Sequence, residues 1–141
     1  AAEAAEAEAA ARVEGGPKVV AVTVLTSFDD RNLHSLGVSR SVRQQVESLA
    51  QLSKSAGIDG VVASPLEIEL IRKVCGDEFI VVTPGIRNPT TDKLNDQKRT
   101  MDATSAIQAG ASYLVVGRPI TAAVDPLNAA LDIRQQISRH G

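Results

Sequence analysis

The chain has a single cysteine, Cys75, so it can build neither an intrachain disulfide nor a cysteine-based zinc site, and it fits a reducing compartment. Tryptophan is absent and aromatic residues make up 2% of the sequence (Phe28, Phe79 and Tyr113), so the core must come from Val, Ile, Leu and Ala. Neither sign of charge dominates: 15 Lys and Arg against 17 Asp and Glu leave a formal net charge of -2. That balance excludes a surface that coats nucleic acid by bulk charge, and any anion site must be a local cluster. No apolar run approaches the roughly eighteen residues needed to cross a bilayer. Secretory and transit segments are not evident. The expectation is a cytoplasmic protein with neither a membrane nor a nucleic-acid partner.

What is present suits one domain: 141 residues, 43% of them hydrophobic. Residues 1–12, AAEAAEAEAAAR, are strong helix formers, and Gly15-Gly16-Pro17 stops them, so residues 1–16 are expected to form an Ala-rich helix and its terminator. Residues 17–141 alternate between two patterns. Lys18–Leu25, KVVAVTVL, is a β-branched run that reads as a buried strand. A loop or short helix follows, and then a helix over Ser39–Ala56 with Val42, Val46, Leu49, Leu52 and Ser53 on one face, Ser39 as N-cap and Gly57 at C′. Strands at Gly60–Ala63, Phe79–Val82 and Tyr113–Val116 come next. Their helices are expected at Leu66–Val74, near Asp102–Ala109 and near Pro126–Arg139. Strand-helix spacing of roughly thirty residues predicts parallel βαβ units with right-handed crossovers. Spacing alone leaves open whether four such units belong to a (β/α)8 barrel or to an open doubly wound sheet.

In both architectures chemistry sits at the C-terminal ends of the strands. Those ends read Thr26-Ser27, Ser64-Pro65, Thr83-Pro84-Gly85-Ile86-Arg87 and Gly117-Arg118-Pro119. Glycine lets backbone N–H groups approach an anion, and arginine adds a planar, permanently charged fork that matches phosphate. A phosphate site after the last two strands is the reading. The plainer alternatives are Arg87 and Arg118 as surface partners of Asp92 and Asp125, Thr26 and Ser27 as caps, Ser64 as a turn residue and Cys75 as packing. His34 and His140 carry no assigned role. The sixteen-residue stretch Pro84–Arg99 is long for a connection without secondary structure. With Arg87 at one end and Gln97, Lys98 and Arg99 at the other, it reads as a basic-ended lid.

Five strings then stand in a telling order: AVTVLTS at 21–27, DGVVAS at 59–64, TPGIR at 83–87, DQKR at 96–99, and YLVVGRPIT at 113–121 with Asp125-Pro126 after it. Together they resemble the bacterial orotidine 5'-monophosphate decarboxylases over nearly all of residues 17–141. The resemblance implies a (β/α)8 TIM barrel that removes CO2 from the nucleotide to give UMP, without metal or organic cofactor, as a homodimer. By position it implies that Arg87, Gln97 and Arg118 hold the 5'-phosphate, helped by N–H groups near Gly117. It also places Gln97 across towards the pyrimidine, and Thr26 and Ser27 at the edge of the base.

The family's catalytic lysine and its Asp-x-Lys-x-x-Asp motif have no counterpart here; Asp92-Lys93 has the wrong spacing. The resemblance therefore implies the second half of the barrel, the tail of one helix and strands five to eight, with no catalytic residue in this chain. Such a half leaves two open strand edges, near Val19–Leu25 and Tyr113–Val116, to be covered by another chain, by upstream residues or by self-association. The competing functions are a sugar-phosphate decarboxylase or aldolase of the same superfamily and a non-catalytic phosphate-binding half-barrel. On the half-enzyme reading the purified 141-residue polypeptide releases no CO2 from orotidine 5'-monophosphate; measured turnover by it alone would contradict that reading.

Overall fold

The structure, a computed structural model, describes residues 16–87 and 99–138. The helix expected over residues 1–16 lies outside them except for Gly16, as do Asp92, Gln97 and His140. Four strands form one parallel sheet: β1 Val20–Val22, β2 Gly60–Val62, β3 Ile80–Thr83 and β4 Tyr113–Leu114. Their spatial order is the order of the chain. An open doubly wound sheet reverses its strand order at a switch point, whereas a barrel adds each strand beside the last. This sheet does the second.

The helices are α1 Asp30–Ser35, α2 Val42–Ser55, α3 Ile68–Cys75, α4 Ala103–Gln108, α5 Arg118–Thr121 and α6 Pro126–Ser138, with a 3-10 turn at Pro65–Glu67 ahead of α3. The N-cap of α2 is Ser41, not Ser39: Ser41 Oγ accepts from the Gln44 N–H at 3.3 Å, and Gln44 Oε1 accepts from the Ser41 N–H at 3.1 Å. This reciprocal capping box needs Gln three residues after Ser, which Ser39 lacks. Gly57 does close α2, with φ +74°, a conformation that favours glycine. Val42, Val46 and Ala50 are buried along α2, while Leu52 is 64% exposed. At about 100° per residue Leu52 falls well off the 42-46-49-53 stripe, and the smaller Ala50 packs in its stead.

The strands are shorter than their apolar runs. β1 and β4 are the sheet's edges among the described residues, so their ends lack a second neighbour to hold them. Pairing nevertheless continues beyond the strands: the Thr23 N–H donates to Val62 O at 3.1 Å and the Val115 N–H to Thr83 O at 2.9 Å. The helix α5 is not among the expected elements; its Pro119 stands in the first turn, where proline costs no hydrogen bond.

The sheet has one covered face. Val61 and Val81 are fully buried in a cluster that includes Val46, Ala50, Ile68, Ile71, Ala103 and Ala106. Cys75 packs in the same cluster, and burial pushes its thiol pKa up, as befits a packing residue. On the opposite face lies the row Val22, Val62, Val82, Tyr113, in which Val22 is 60% and Tyr113 62% exposed. That face is where a closed barrel would stack its inner side chains.

The N-terminal end of the sheet is tied by Arg72. Its Nε donates to Gly110 O at 2.8 Å, Nη1 to the carbonyls of Gly76, Asp77 and Phe79, and Nη2 to Ser112 Oγ at 2.9 Å. Ser112 Oγ in turn accepts from the Val81 N–H at 3.0 Å. One side chain thus joins the end of α3, the start of β3 and the approach to β4. Arg72→Ala is expected to lower unfolding free energy by about 2–3 kcal/mol, since several carbonyls lose a charged donor. Chemical denaturation measures this, and a loss within error of zero would contradict the assignment.

Candidate functional site

Register decides which loops can meet. Val22, Val62, Val82 and Tyr113 pair in one row, and Thr83 pairs with Leu114 in the next. Arg87 and Arg118 each stand four positions beyond that last pair, so β3 and β4 end level and the segments carrying the two arginines leave the same rim. Arg87 is half-buried; Arg118 is exposed and opens α5. At Gly117 a Cβ would meet nothing within 4 Å, so the backbone there borders open space.

Thr26 joins this rim across β2. Gly85 has φ +81°, and a Cβ built on it would lie 3.4 Å from Thr26 Cγ2 and 3.3 Å from the Arg99 carbonyl oxygen. A side chain at 85 would therefore be strained by its backbone and would crowd the Arg99 carbonyl, with Thr26 at contact distance. Ser27 is exposed. Neither Thr26 nor Ser27 caps the next helix; Asp29 does, in a capping box with Asn32. Ser64 is the N-cap of the 3-10 turn, its Oγ accepting from the Leu66 N–H at 3.3 Å. Asp125 caps α6, accepting from the backbone and side chain of Asn128. Gln97 lies outside the described residues.

Arg99 departs from the expectation of a solvated basic lid end. It is 9% exposed, and its Nη1 pairs at 2.6 Å with Oε1 of Glu67, itself 5% exposed. Its Nη2 donates to Leu25 O at 2.8 Å, and its carbonyl accepts from Ser64 Oγ at 3.4 Å. The two sides of the loop are also stitched together. The Met101 N–H donates to Gly85 O at 3.3 Å and the Arg87 N–H to Met101 O at 3.0 Å, making a parallel bridge between Ile86 and Met101. The Arg99 fork meets Glu67 and the Leu25 carbonyl together, which satisfies its charge inside the protein.

Glu67 is the residue that the sequence conceals. In LEIEL two carboxylates flank one apolar side chain, and only the helical phase set by the Pro65 turn decides that Glu67 faces inward while Glu69 is exposed. Burial raises the Glu67 pKa above the ordinary carboxylate value, opposed by the Arg99 charge, by a hydrogen bond with Ser64 and more weakly by Arg43. Its Oε2 and the Arg99 Nε are buried without a hydrogen bond among the described residues. Both side chains line a cleft of about 630 Å3, shared with Asp29, Asp30, Arg31 and Arg43. Arg87 and Arg118 are not among its walls.

A carboxyl whose folded pKa is raised holds its proton longer in the folded state than in the unfolded one. Stability from Glu67 therefore falls as pH rises from the ordinary carboxylate value through the raised one, and is flat outside that window. Denaturation of the wild type and of Glu67→Gln across mildly acidic to neutral pH should show this slope in the wild type alone. A difference between the two proteins that does not change with pH would contradict it. Glu67→Ala strands a buried guanidinium and should cost about 3–5 kcal/mol.

A family model described as "Orotidine 5'-phosphate decarboxylase / HUMPS family" matches residues 1–133. The orotidine 5'-phosphate decarboxylase of Citrifermentans bemidjiense is 54% identical over 121 residues, which cover 86% of this chain and 50% of that protein. That of Moorella thermoacetica is 52% identical over 131 residues, covering 92% and 52%. Among solved structures, orotidine 5'-phosphate decarboxylase from Lactobacillus acidophilus superposes with a TM-score of 0.70 at 40% identity, covering 86% of this chain and 49% of that one. The chain spans about half the length of the curated relatives it matches. With strands in sequential parallel order and half coverage, its fold is half of a (β/α)8 barrel. The chain belongs to the orotidine 5'-phosphate decarboxylase / HUMPS family.

Proposed function

We propose that this segment forms the phosphate- and base-binding part of an enzyme that decarboxylates orotidine 5'-monophosphate to UMP in pyrimidine biosynthesis. The catalytic lysine and carboxylates belong to the other half of the barrel, and the segment by itself is inactive. The observation that carries the reading is the register of β3 and β4, which ends the two neighbouring strands level and sends the segments carrying Arg87 and Arg118 from one rim. Two guanidinium groups and the backbone around Gly117 there suit a dianionic monoester.

In this reading Arg87 and Arg118 hold the phosphate with the Gly117 backbone, and Gln97, matched by its motif alone, completes the grip. Thr26 and Ser27 meet the edge of the pyrimidine; the contact of Thr26 with Gly85 supports the closeness of the two ends. The phosphate is remote from the bond that breaks. Holding it supplies binding energy that orients the reacting carboxylate where the other half places its catalytic groups. No metal or organic cofactor takes part, the working unit is a cytoplasmic homodimer, and the ligand is a small nucleotide.

Co-expression of this chain with the N-terminal half of the Citrifermentans bemidjiense relative should restore decarboxylation that neither part shows alone. In that complex Arg118→Ala is expected to reduce kcat/KM for the nucleotide roughly 100-fold or more. The same substitution should leave turnover of the phosphate-free nucleoside unchanged. Equal losses for both substrates would make Arg118 a structural residue and contradict the phosphate assignment. Gln97→Ala should weaken the nucleotide alone, and unchanged kinetics would remove Gln97 from the site.

A further inference from the structure

We propose that Arg99 is a positioning residue: through its pair with Glu67 and its bond to the Leu25 carbonyl, it holds the base-edge loop after β1 at a set distance from the phosphate-edge loop after β3. This rests on the nucleotide reading above and adds to it a residue that touches no substrate.

The geometry is a three-way tie. The Arg99 guanidinium donates in two directions, to Glu67 Oε1 at 2.6 Å and to Leu25 O at 2.8 Å, and Leu25 directly precedes Thr26. Its carbonyl oxygen accepts from Ser64 Oγ and lies 3.3 Å from the Cβ position of Gly85. Two residues further on, Met101 is bonded to both Gly85 and Arg87. The short stretch 99–101 therefore touches the ends of β1, β2 and β3 at once. Its anchor is firm, because Glu67 runs directly into α3, whose Ile68 and Ile71 are fully buried.

Energetics favour a geometric role over a purely stabilising one. Removing a carboxylate and a guanidinium from water costs several kcal/mol per ion, and apolar side chains of similar volume commonly serve stability as well or better. A planar fork, however, fixes two acceptors in one plane, which neither an apolar residue nor a lysine can do. The upward shift of the Glu67 pKa also means that the carboxyl can take up a proton when Arg99 is lost, so Arg99→Met, which keeps the stem volume, is a tolerable variant.

The test uses the full 141-residue chain, isotopically labelled, titrated separately with inorganic phosphate and with UMP. In the wild type, phosphate is expected to shift the amides of Gly117 and Arg118, while UMP binds more tightly and also shifts Thr26 and Ser27. In Arg99→Lys and Arg99→Met the phosphate Kd should stay within about two-fold. UMP should lose about ten-fold, with the Thr26 and Ser27 shifts vanishing. Independently of any ligand, the nuclear Overhauser contact between the Thr26 methyl and Gly85 should disappear in both variants, while core contacts of Ile71 persist. Equal weakening of phosphate and UMP, or an unchanged Thr26–Gly85 contact, would overturn the positioning role. A wild type that binds neither probe would overturn the nucleotide reading instead, leaving the Overhauser measurement to decide the positioning role.

Discussion

Parallel hydrogen bonding between strands taken in chain order is the constraint from which the rest follows. Because β1 to β4 are added side by side in one direction, all four strand ends open on the same rim. Polar residues that are 92 positions apart, from Thr26 to Arg118, come to one side of the molecule. At the opposite rim Arg72 collects the carbonyls of three segments. The candidate site and the Arg72 tie thus lie at opposite ends of the strands.

The same sheet is unfinished as a folding unit. Helices cover one face; the other exposes Val22 and Tyr113, with Val19, Leu25 and Val115 also open near the edge strands. Beyond α5, Val124, Leu127 and Leu131 are exposed as well. Fully burying a Val or Leu side chain is worth about 1.5–3 kcal/mol, so closure over this surface would be strongly favourable. The chain spans about half the length of its relatives, and in a closed (β/α)8 barrel β1 and β4 would each pair with a further strand. A long apolar edge left bare is also a template for unwanted pairing.

Much of the fold was legible because apolar periodicity and glycine punctuation are local signals. The four strands, Gly57 as terminator, the Asp102 start of α4 and the packing role of Cys75 all follow from a few neighbouring residues. The places of β1 and β4 at the sheet's edges among the described residues follow from the strand count and the family resemblance together. What escaped the reading depends on distant partners. Ser39 and Ser41 look alike as caps until the reciprocal Gln44 is weighed, and Leu52 looks buried until Ala50 is seen packed closely in the core. Glu67 and Arg99 are 32 residues apart, and nothing near either one announces a buried pair. The candidate site residues Thr26, Arg87, Gly117 and Arg118 rest on strand-end position and motif; their common rim comes from register, which no single segment encodes.

The most direct measurement is the structure of this chain joined to a complementary family half, with UMP bound. The phosphate is expected between the TPGIR and GRPIT loops, with Arg87 and Arg118 both within hydrogen-bond distance of its oxygens and the pyrimidine edge beside Thr26. A nucleotide seated instead in the Glu67–Arg99 cleft, or a phosphate reached by only one of the two arginines, would contradict the shared-rim site.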